Sequence, residues 1–265
     1  MGKKIGFIGA GNMAEAMIAG ILKKGVLSSS DIIASRRNKE ALDSLHEKYG
    51  IDVTADNKEA AKAEIVVLAI KPQFMKEVID EIKSVVTEEQ IILSIAAGKT
   101  IAFMENEFGG VRKIVRCMPN TPALVLEGST GVSHNKNVSD IELKRVLDIL
   151  LSCGFAAVVD EKLMDAVVGI SGSAPAYVFM FIEALADAGV AAGMPRKLAY
   201  EFAAQLVKGS AALMQETGKH PAELKDMVCS PGGTTIEAVK VLEDCGFRSA
   251  IMNAVEACVE KSKKL

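Results

Sequence analysis

Short β-branched runs alternate with helical periods along roughly the first 160 residues, and after that the strands stop. The runs that read as strands are Lys4–Ile8, Asp31–Ser35, Ile65–Ile70, Ile91–Ile95, Lys113–Cys117 and Ala156–Asp160. The helical stretches between them have recognisable starts. Pro72 suits a first helical turn, and Ser139-Asp140-Ile141-Glu142 reads as a capping box. Alternation of this kind predicts an α/β fold with a mostly parallel, doubly wound sheet. Beyond it, Lys162–Ala192, Arg196–Thr217, Pro221–Val228, Thr235–Asp244 and Arg248–Lys263 all read as helix, with Gly218 and Gly246 as punctuation. The shift predicts two domains, 1–161 and an all-α 162–265, without a flexible linker between them.

One helical stretch carries a prediction about assembly. Val178–Ala192 is apolar on nearly every side, and a helix hydrophobic all round must be buried. A domain of about 100 residues can hardly surround such a helix by itself. A second subunit is therefore expected to cover it, giving a homodimer through the helical domain, the alternative being burial against the sheet domain of its own chain. No stretch reads as long and apolar enough to span a bilayer, and the start at Met1-Gly2-Lys3-Lys4 is no secretory leader.

Composition narrows the classes further. A net charge of −3 in 265 residues argues against nucleic acid or an anionic membrane as the main partner. The five cysteines are scattered, with no Cys-x-x-Cys pair, which fits a reduced, cytoplasmic chain rather than a disulfide framework. The three histidines are dispersed as well, so no metal constellation is expected.

Candidate chemistry begins at the first strand. It runs into Gly9-Ala10-Gly11-Asn12-Met13-Ala14 and then into helix, which is a Gly-x-Gly-x-x-Ala loop in its required context. Gly9 permits the tight turn, Gly11 admits a pyrophosphate, and the helix start at Asn12 and Met13 faces the phosphates. The second strand ends Ala34-Ser35-Arg36-Arg37, without the carboxylate that an NAD site usually places there. Ser35 offers a hydroxyl, and Arg36 and Arg37 offer guanidinium forks suited to a 2′-phosphate, so NADP(H) is expected. Asn57 reads first as a helix N-cap and second as an adenosine contact. Ala69-Ile70-Lys71-Pro72 and Met118-Pro119-Asn120-Thr121-Pro122 close strands on the edge where open sheets bind ligands. Lys71 suits cofactor or substrate charge as well as plain solvent, and the stiff turn at Asn120 suits fixing a nicotinamide.

A second polar loop lies far down the chain, at Cys229-Ser230-Pro231-Gly232-Gly233-Thr234-Thr235, just before a helical run. Its residues make an ordinary glycine turn with a threonine cap, or a cradle for a small carboxylate or phosphate at a helix N-terminus.

Taken together, GFIGAGNMA (6–14), AIKPQ (69–73), RCMPNTP (116–122), SGSAPAY (171–177) and LKDMVCSPGGTTIEAVKVLE (224–243) resemble the pyrroline-5-carboxylate reductase family, in family order and end to end. The first motif recurs in many dehydrogenases; the last is highly specific. The resemblance implies an N-terminal Rossmann-type domain and a helical C-terminal dimerisation domain, with dimers often assembled into larger rings. It implies reduction of a cyclic imine carboxylate, 1-pyrroline-5-carboxylate, to L-proline with NADPH, and leaves room for NADH. It places the substrate carboxylate at Ser230, Gly232, Gly233 and Thr234 and counts Ser171, which opens a substrate-facing segment, among the substrate contacts; whether that loop faces the sheet domain of its own chain or of its partner stays open. Thr235 would set its hydroxyl by the imine nitrogen, and Ser35, Arg36, Arg37 and Asn57 match the 2′-phosphate and adenosine positions. Two residues depart from the family pattern: Val168 stands for a usual threonine and Ala174 for a usual glycine. Rival readings are a β-hydroxyacid type reductase and a non-catalytic NADP sensor. The absence of lysine from Gly169–Glu183 counts against the first, and the intact loop at Ser230–Thr235 against the second.

Overall fold

The computed structural model describes residues 2–264, which divide into two compact units. One holds the described residues up to Ser173 together with those from Cys258 on; the other is Ala174–Ala257.

The first unit is a doubly wound sheet. Its strands are β1 (Ile5–Ile8), β2 (Ile32–Ser35), β3 (Asp52–Thr54), β4 (Ile65–Leu68), β5 (Ile91–Ser94), β6 (Lys113–Met118), β7 (Gly128–His134) and β8 (Gly154–Val158). They lie in the order β3-β2-β1-β4-β5-β6-β7-β8, with only the β6–β7 pair antiparallel. The helices are α1 (Asn12–Lys23), α2 (Lys39–Tyr49), α3 (Asn57–Ala60), α4 (Met75–Ile82), α5 (Ile101–Phe108), α6 (Asp140–Leu151) and α7 (Met164–Val167). Side chains alternate across each strand and so fill two cores. Ile5 and Phe7 join Met17, Ile18 and Ile21 of α1 with Val146 and Ile149 of α6 on one face. Ile8, Val66 and Leu68 join Val78, Ile79 and Ile82 of α4 with Met104 of α5 on the other. Each such side chain, fully buried, stabilises the fold by about 1.5–3 kcal/mol. The strand order reverses between β1 and β4, and a crevice opens at the carboxyl ends of strands there.

The expected strands and the capping box at Ser139 are present, with ends shifted by one or two residues. Two strands carry no sequence signal. The edge strand β3 has only three residues. In β7 small residues replace the usual β-branched ones because neighbours press in: a Cβ on Gly131 would lie 2.8 Å from a Val167 methyl.

The second unit contains α8 (Pro175–Ala191), α9 (Arg196–Thr217), α10 (Pro221–Met227), α11 (Thr234–Asp244) and most of α12 (Phe247–Ser262). α8 and α9 meet through small side chains, with Gly189 against Ala199. Among the described residues of this unit only Ala186, Ala199 and Ala203 are buried. Val178, Phe179, Met180 and Phe181 of α8 are exposed, as are Phe202 and Leu206 of α9. The single chain thus leaves uncovered the apolar helix that was expected to need a partner.

Two expectations need correction. The stretch 162–192 is not one regular helix: a π-helical turn at Val168–Gly172 and a break at Ser173 and Ala174 interrupt it ahead of Pro175. Pro175 explains the break, since it cannot donate a backbone hydrogen bond. The helical run Glu161–Ala191 is also long and apolar enough to cross a membrane, contrary to the reading that no stretch is. Length and composition alone carry that result, and the core helix of a soluble protein meets the same test.

Candidate active site

β1 delivers the glycine loop to the crevice. Gly9 has φ +86°, and its amide and that of Ala10 both donate to Ser35 O at 3.0 Å, which ties the loop to β2. A Cβ on Gly9 would come within 2.4 Å of an Ile70 methyl and 2.9 Å of Ala69 O, so only glycine fits. Gly11 differs: it has φ −95°, and a Cβ there would meet nothing nearer than Gly9 O at 3.9 Å. Its bare face is open space in front of α1, whose N-terminus at Asn12 and Met13 has no side-chain cap. Uncapped amides and an open approach suit a pyrophosphate. Glu15 lies in the same first turn, and the Lys48 ammonium at 2.8 Å holds its carboxyl below the usual range, with Tyr49 assisting. That pairing offsets a negative charge that would otherwise face the phosphates.

A cavity of about 230 Å³ lies beside the loop, lined by Ile8, Gly9, Arg36, Arg37, Asn57, Ile70, Phe74 and Val78. Its apolar walls suit an adenine ring, and its guanidinium rim suits a phosphate. Arg36 Nη1 donates to Ala10 O at 3.1 Å, which anchors that side chain to the loop. Arg37 pairs with Glu77 at 2.6 Å and is otherwise well exposed. Ser35 lies elsewhere than its expected role requires: it is fully buried, and its hydroxyl donates to Asn57 Oδ1 at 2.8 Å. Burial removes it from direct contact with a ligand and makes it a support for Asn57. Asn57 is not an N-cap, because Asp56 accepts from Lys58 N at 2.8 Å instead. Its amide is held between Ser35 and Glu81 Oε2, the latter 2.8 Å away. The sequence reading missed Phe74 and Val78 as cavity walls, and Glu77 and Glu81 as partners of Arg37 and Asn57. Their i, i+4 spacing from Phe74 into α4 was the available signal.

Along the same edge, Ala69 N donates to Ile8 O at 2.9 Å, holding Ala69-Ile70 against the glycine loop. Lys71 is exposed, and Pro72 opens a 3₁₀ turn, Pro72–Phe74, that leads into α4. Past β6, Asn120 precedes another 3₁₀ turn, Thr121–Val125, but its side chain does not cap it. Its Oδ1 accepts from Ser129 N at 2.8 Å, while Nδ2 points at Ser171 O (3.2 Å) and Ser171 Oγ (3.4 Å). Asn120 and Ser171 are thus brought together, with the Asn120 amide spent inside the protein. The two departures are accommodated nearby. Val168 is almost fully buried at the start of the π-turn, and Ala174 has φ −64°, which alanine adopts freely.

In the second unit, Ser230–Gly233 form a tight turn closed by Gly233 N donating to Ser230 O at 3.0 Å. Pro231 stands at its second position and Gly232, with φ +66°, at its third, the requirements of a type II turn. The turn releases the chain into α11 at Thr234, with Gly233 as a cap that has no side chain to offer. The first amides of α11 therefore have no side-chain cap, and the same stretch supplies the Ser230, Thr234 and Thr235 hydroxyls, so an anion is a suitable partner.

Comparison with known proteins agrees with this anatomy. Residues 161–265 match the family described as pyrroline-5-carboxylate reductase dimerisation, and residues 4–98 match that described as NADP oxidoreductase, coenzyme F420-dependent. The chain is 49% identical over 266 residues to pyrroline-5-carboxylate reductase of Escherichia coli, covering 100% of this chain and 99% of that one. Among solved structures, a pyrroline-5-carboxylate reductase from Coxiella burnetii is similar with a TM-score of 0.94, at 35% identity over 100% of this chain and 98% of that one. The pyrroline carboxylate reductase of Plasmodium falciparum, solved with NADP bound, gives 0.88 at 37% identity over 99% and 97%. A sheet built for a dinucleotide, a helical unit built for a partner and full-length likeness agree: the chain belongs to the pyrroline-5-carboxylate reductases, NADP-dependent oxidoreductases of the last step of proline biosynthesis.

Proposed function

We propose that this chain reduces the C=N bond of 1-pyrroline-5-carboxylate to give L-proline, with NADPH preferred and NADH as a weaker alternative. The observation that carries the residue assignment is the turn at Ser230–Gly233, which leaves the start of α11 uncapped beside three hydroxyls. Ser230, Gly232, Gly233 and Thr234 hold the substrate carboxylate there, with Ser171 as a further substrate contact. Bound NADPH supplies the hydride. Gly9, Gly11, Asn12 and Met13 hold its pyrophosphate, Arg36 and Arg37 its 2′-phosphate, and Asn57 its adenosine. Ala69, Lys71 and Pro72 shape the edge of that site.

The chain's own task is chiefly alignment. A protonated imine is already electrophilic, and positioning alone can supply about 7–11 kcal/mol of barrier lowering. Thr235 donates a hydrogen bond toward the imine nitrogen and orients the ring; an unactivated hydroxyl is too weak an acid to serve as the main proton donor. The functional division at residues 161 and 162 places cofactor binding before it, and substrate binding and dimerisation after it. The homodimer forms through the exposed faces of α8 and α9, and dimers assemble further into rings. The five free cysteines support a reducing compartment, the cytoplasm.

NADPH oxidation, followed by the loss of its near-ultraviolet absorbance on adding 1-pyrroline-5-carboxylate, tests the proposal. Proline formed in step with NADPH lost is the expected result. No substrate-dependent loss would reduce the chain to a cofactor-binding protein.

A further inference from the structure

In an α-helix each carbonyl accepts from the N–H four residues on. For Ser171 that residue is Pro175, which has no N–H to give. The π-turn does not supply one either, since its own bond runs from Ser173 N to Val168 O at 2.9 Å. The Ser171 carbonyl is thus orphaned by the covalent chemistry of its own chain. Asn120 meets it from the end of β6. Asn120 as a residue is 8% exposed, and the roles of its two amide atoms follow from their partners. Ser129 N–H can only donate, so it fixes Oδ1 at 2.8 Å, which leaves Nδ2 for the Ser171 carbonyl at 3.2 Å. Ser171 Oγ closes the ring by donating toward Ser129 O at 3.4 Å.

We propose that Asn120 is a positioning residue, supplying across the fold the N–H that Pro175 withholds, and thereby setting the π-turn that presents Ser171. The inference rests on the reading of Ser171 as a substrate contact. π-turns inside helices occur frequently at functional sites, and this one leaves a half-buried carbonyl that Asn120 partners. This role replaces the expected nicotinamide contact at Asn120: its side-chain amide is committed to Ser129 and Ser171, so it would act through Ser171 on the imine and leave NADPH affinity unchanged.

The test compares Asn120→Ala, Asn120→Asp and the double variant Asn120→Ala with Pro175→Ala in the full chain. Three quantities are read: the Kd for NADPH, kcat/KM for 1-pyrroline-5-carboxylate, and amide hydrogen exchange over residues 168–174. Asn120→Ala is expected to lower kcat/KM by about 10- to 100-fold, the scale of an ångström-sized misplacement, at unchanged NADPH affinity. Faster exchange should be confined to 168–174. Asn120→Asp should do no better, because a carboxylate keeps the Ser129 bond but cannot donate to Ser171. Restoring an N–H at position 175 in the double variant should recover most of the loss in both activity and protection. The inference is overturned by a wild-type-like Asn120→Asp, by no recovery in the double variant, or by NADPH affinity falling in step with activity. Should the parent chain not turn over the imine at all, the functional reading falls separately. Exchange and its recovery then decide this inference alone. Should Asn120→Ala not fold, Asn120→Asp and its own Pro175→Ala partner carry the same comparison.

Discussion

Replacing Gly9 or Gly11 by alanine separates two roles that one loop combines. At Gly9 the added methyl meets an Ile70 methyl at 2.4 Å and Ala69 O at 2.9 Å, in a backbone with φ +86°. The left-handed conformation costs an alanine about 1–2 kcal/mol. Overpacking of this kind adds about 1–3 kcal/mol, so Gly9→Ala should lose about 2–5 kcal/mol of stability. With a urea slope of about 1–3 kcal/mol per molar, the unfolding midpoint falls by about 0.7 M or more. Gly11→Ala meets no atom nearer than 3.9 Å and keeps an ordinary φ of −95°. Its stability should hold or rise slightly, because alanine restricts the unfolded chain more than glycine does. Its methyl nevertheless stands where the pyrophosphate is proposed to approach, and NADPH affinity should fall by at least about tenfold, or about 1.4 kcal/mol. Urea unfolding at fixed protein concentration and fluorescence titration with NADPH give the two readouts. A Gly11→Ala variant as unstable as Gly9→Ala, or one that binds NADPH like the parent, refutes the division of labour.

The arginines, the Ser230–Thr235 loop and one ion pair give further tests. Arg37→Ala should weaken NADPH about tenfold and leave NADH nearly unchanged. A charge-assisted hydrogen bond is worth about 1.5–3 kcal/mol, and release from Glu77 puts this one at the low end. Arg36→Ala should weaken both cofactors, since Arg36 also holds Ala10 O; equal losses for both cofactors in Arg37→Ala would remove it from the 2′-phosphate. Thr235→Ala should lower kcat by about tenfold or more at unchanged NADPH affinity, and parent-like turnover would exclude the hydroxyl from the reaction. For Glu142, burial works against ionisation, but Lys113 at 2.9 Å and the Ser139 cap prevail and hold its carboxyl down to about 2. A depressed carboxyl contributes stability above its ordinary value of 4.5 and loses it as pH falls toward about 2. Lys113→Met should therefore flatten the acid limb of stability between those limits in unfolding curves taken across pH; an unchanged limb would discount the pair.

Much of this anatomy is legible in the chain because local chemistry and global fold agree. The Gly9–Ala14 loop, the Ser139 capping box and the long strands each announce themselves through residues that can do little else at that spacing. β7 does not, because its glycines answer to neighbours such as Val167 that sequence order conceals. Ser35 shows the same limit at the site. Its position at the end of β2 was legible, but its burial under Asn57 depends on α3, which packs there from across the sheet. Asn120 is the clearest case. Its place before Thr121 and Pro122 reads as a local turn residue, and only the fold brings Ser171 within its reach. Long-range polar pairings of this kind have no periodicity to betray them.

The helical unit buries three alanines and little else among its described residues. Under the proposed homodimer, folding of this unit is coupled to encounter, because the apolar surface that must leave water would find its cover on another copy. Dilution then acts as a denaturant, and a newly made chain has a waiting time set by how many siblings surround it. During that interval the sides of α8 and α9 are as open to chaperones and proteases as to the intended mate. The abundance of the enzyme is therefore expected to rise more steeply than its rate of synthesis.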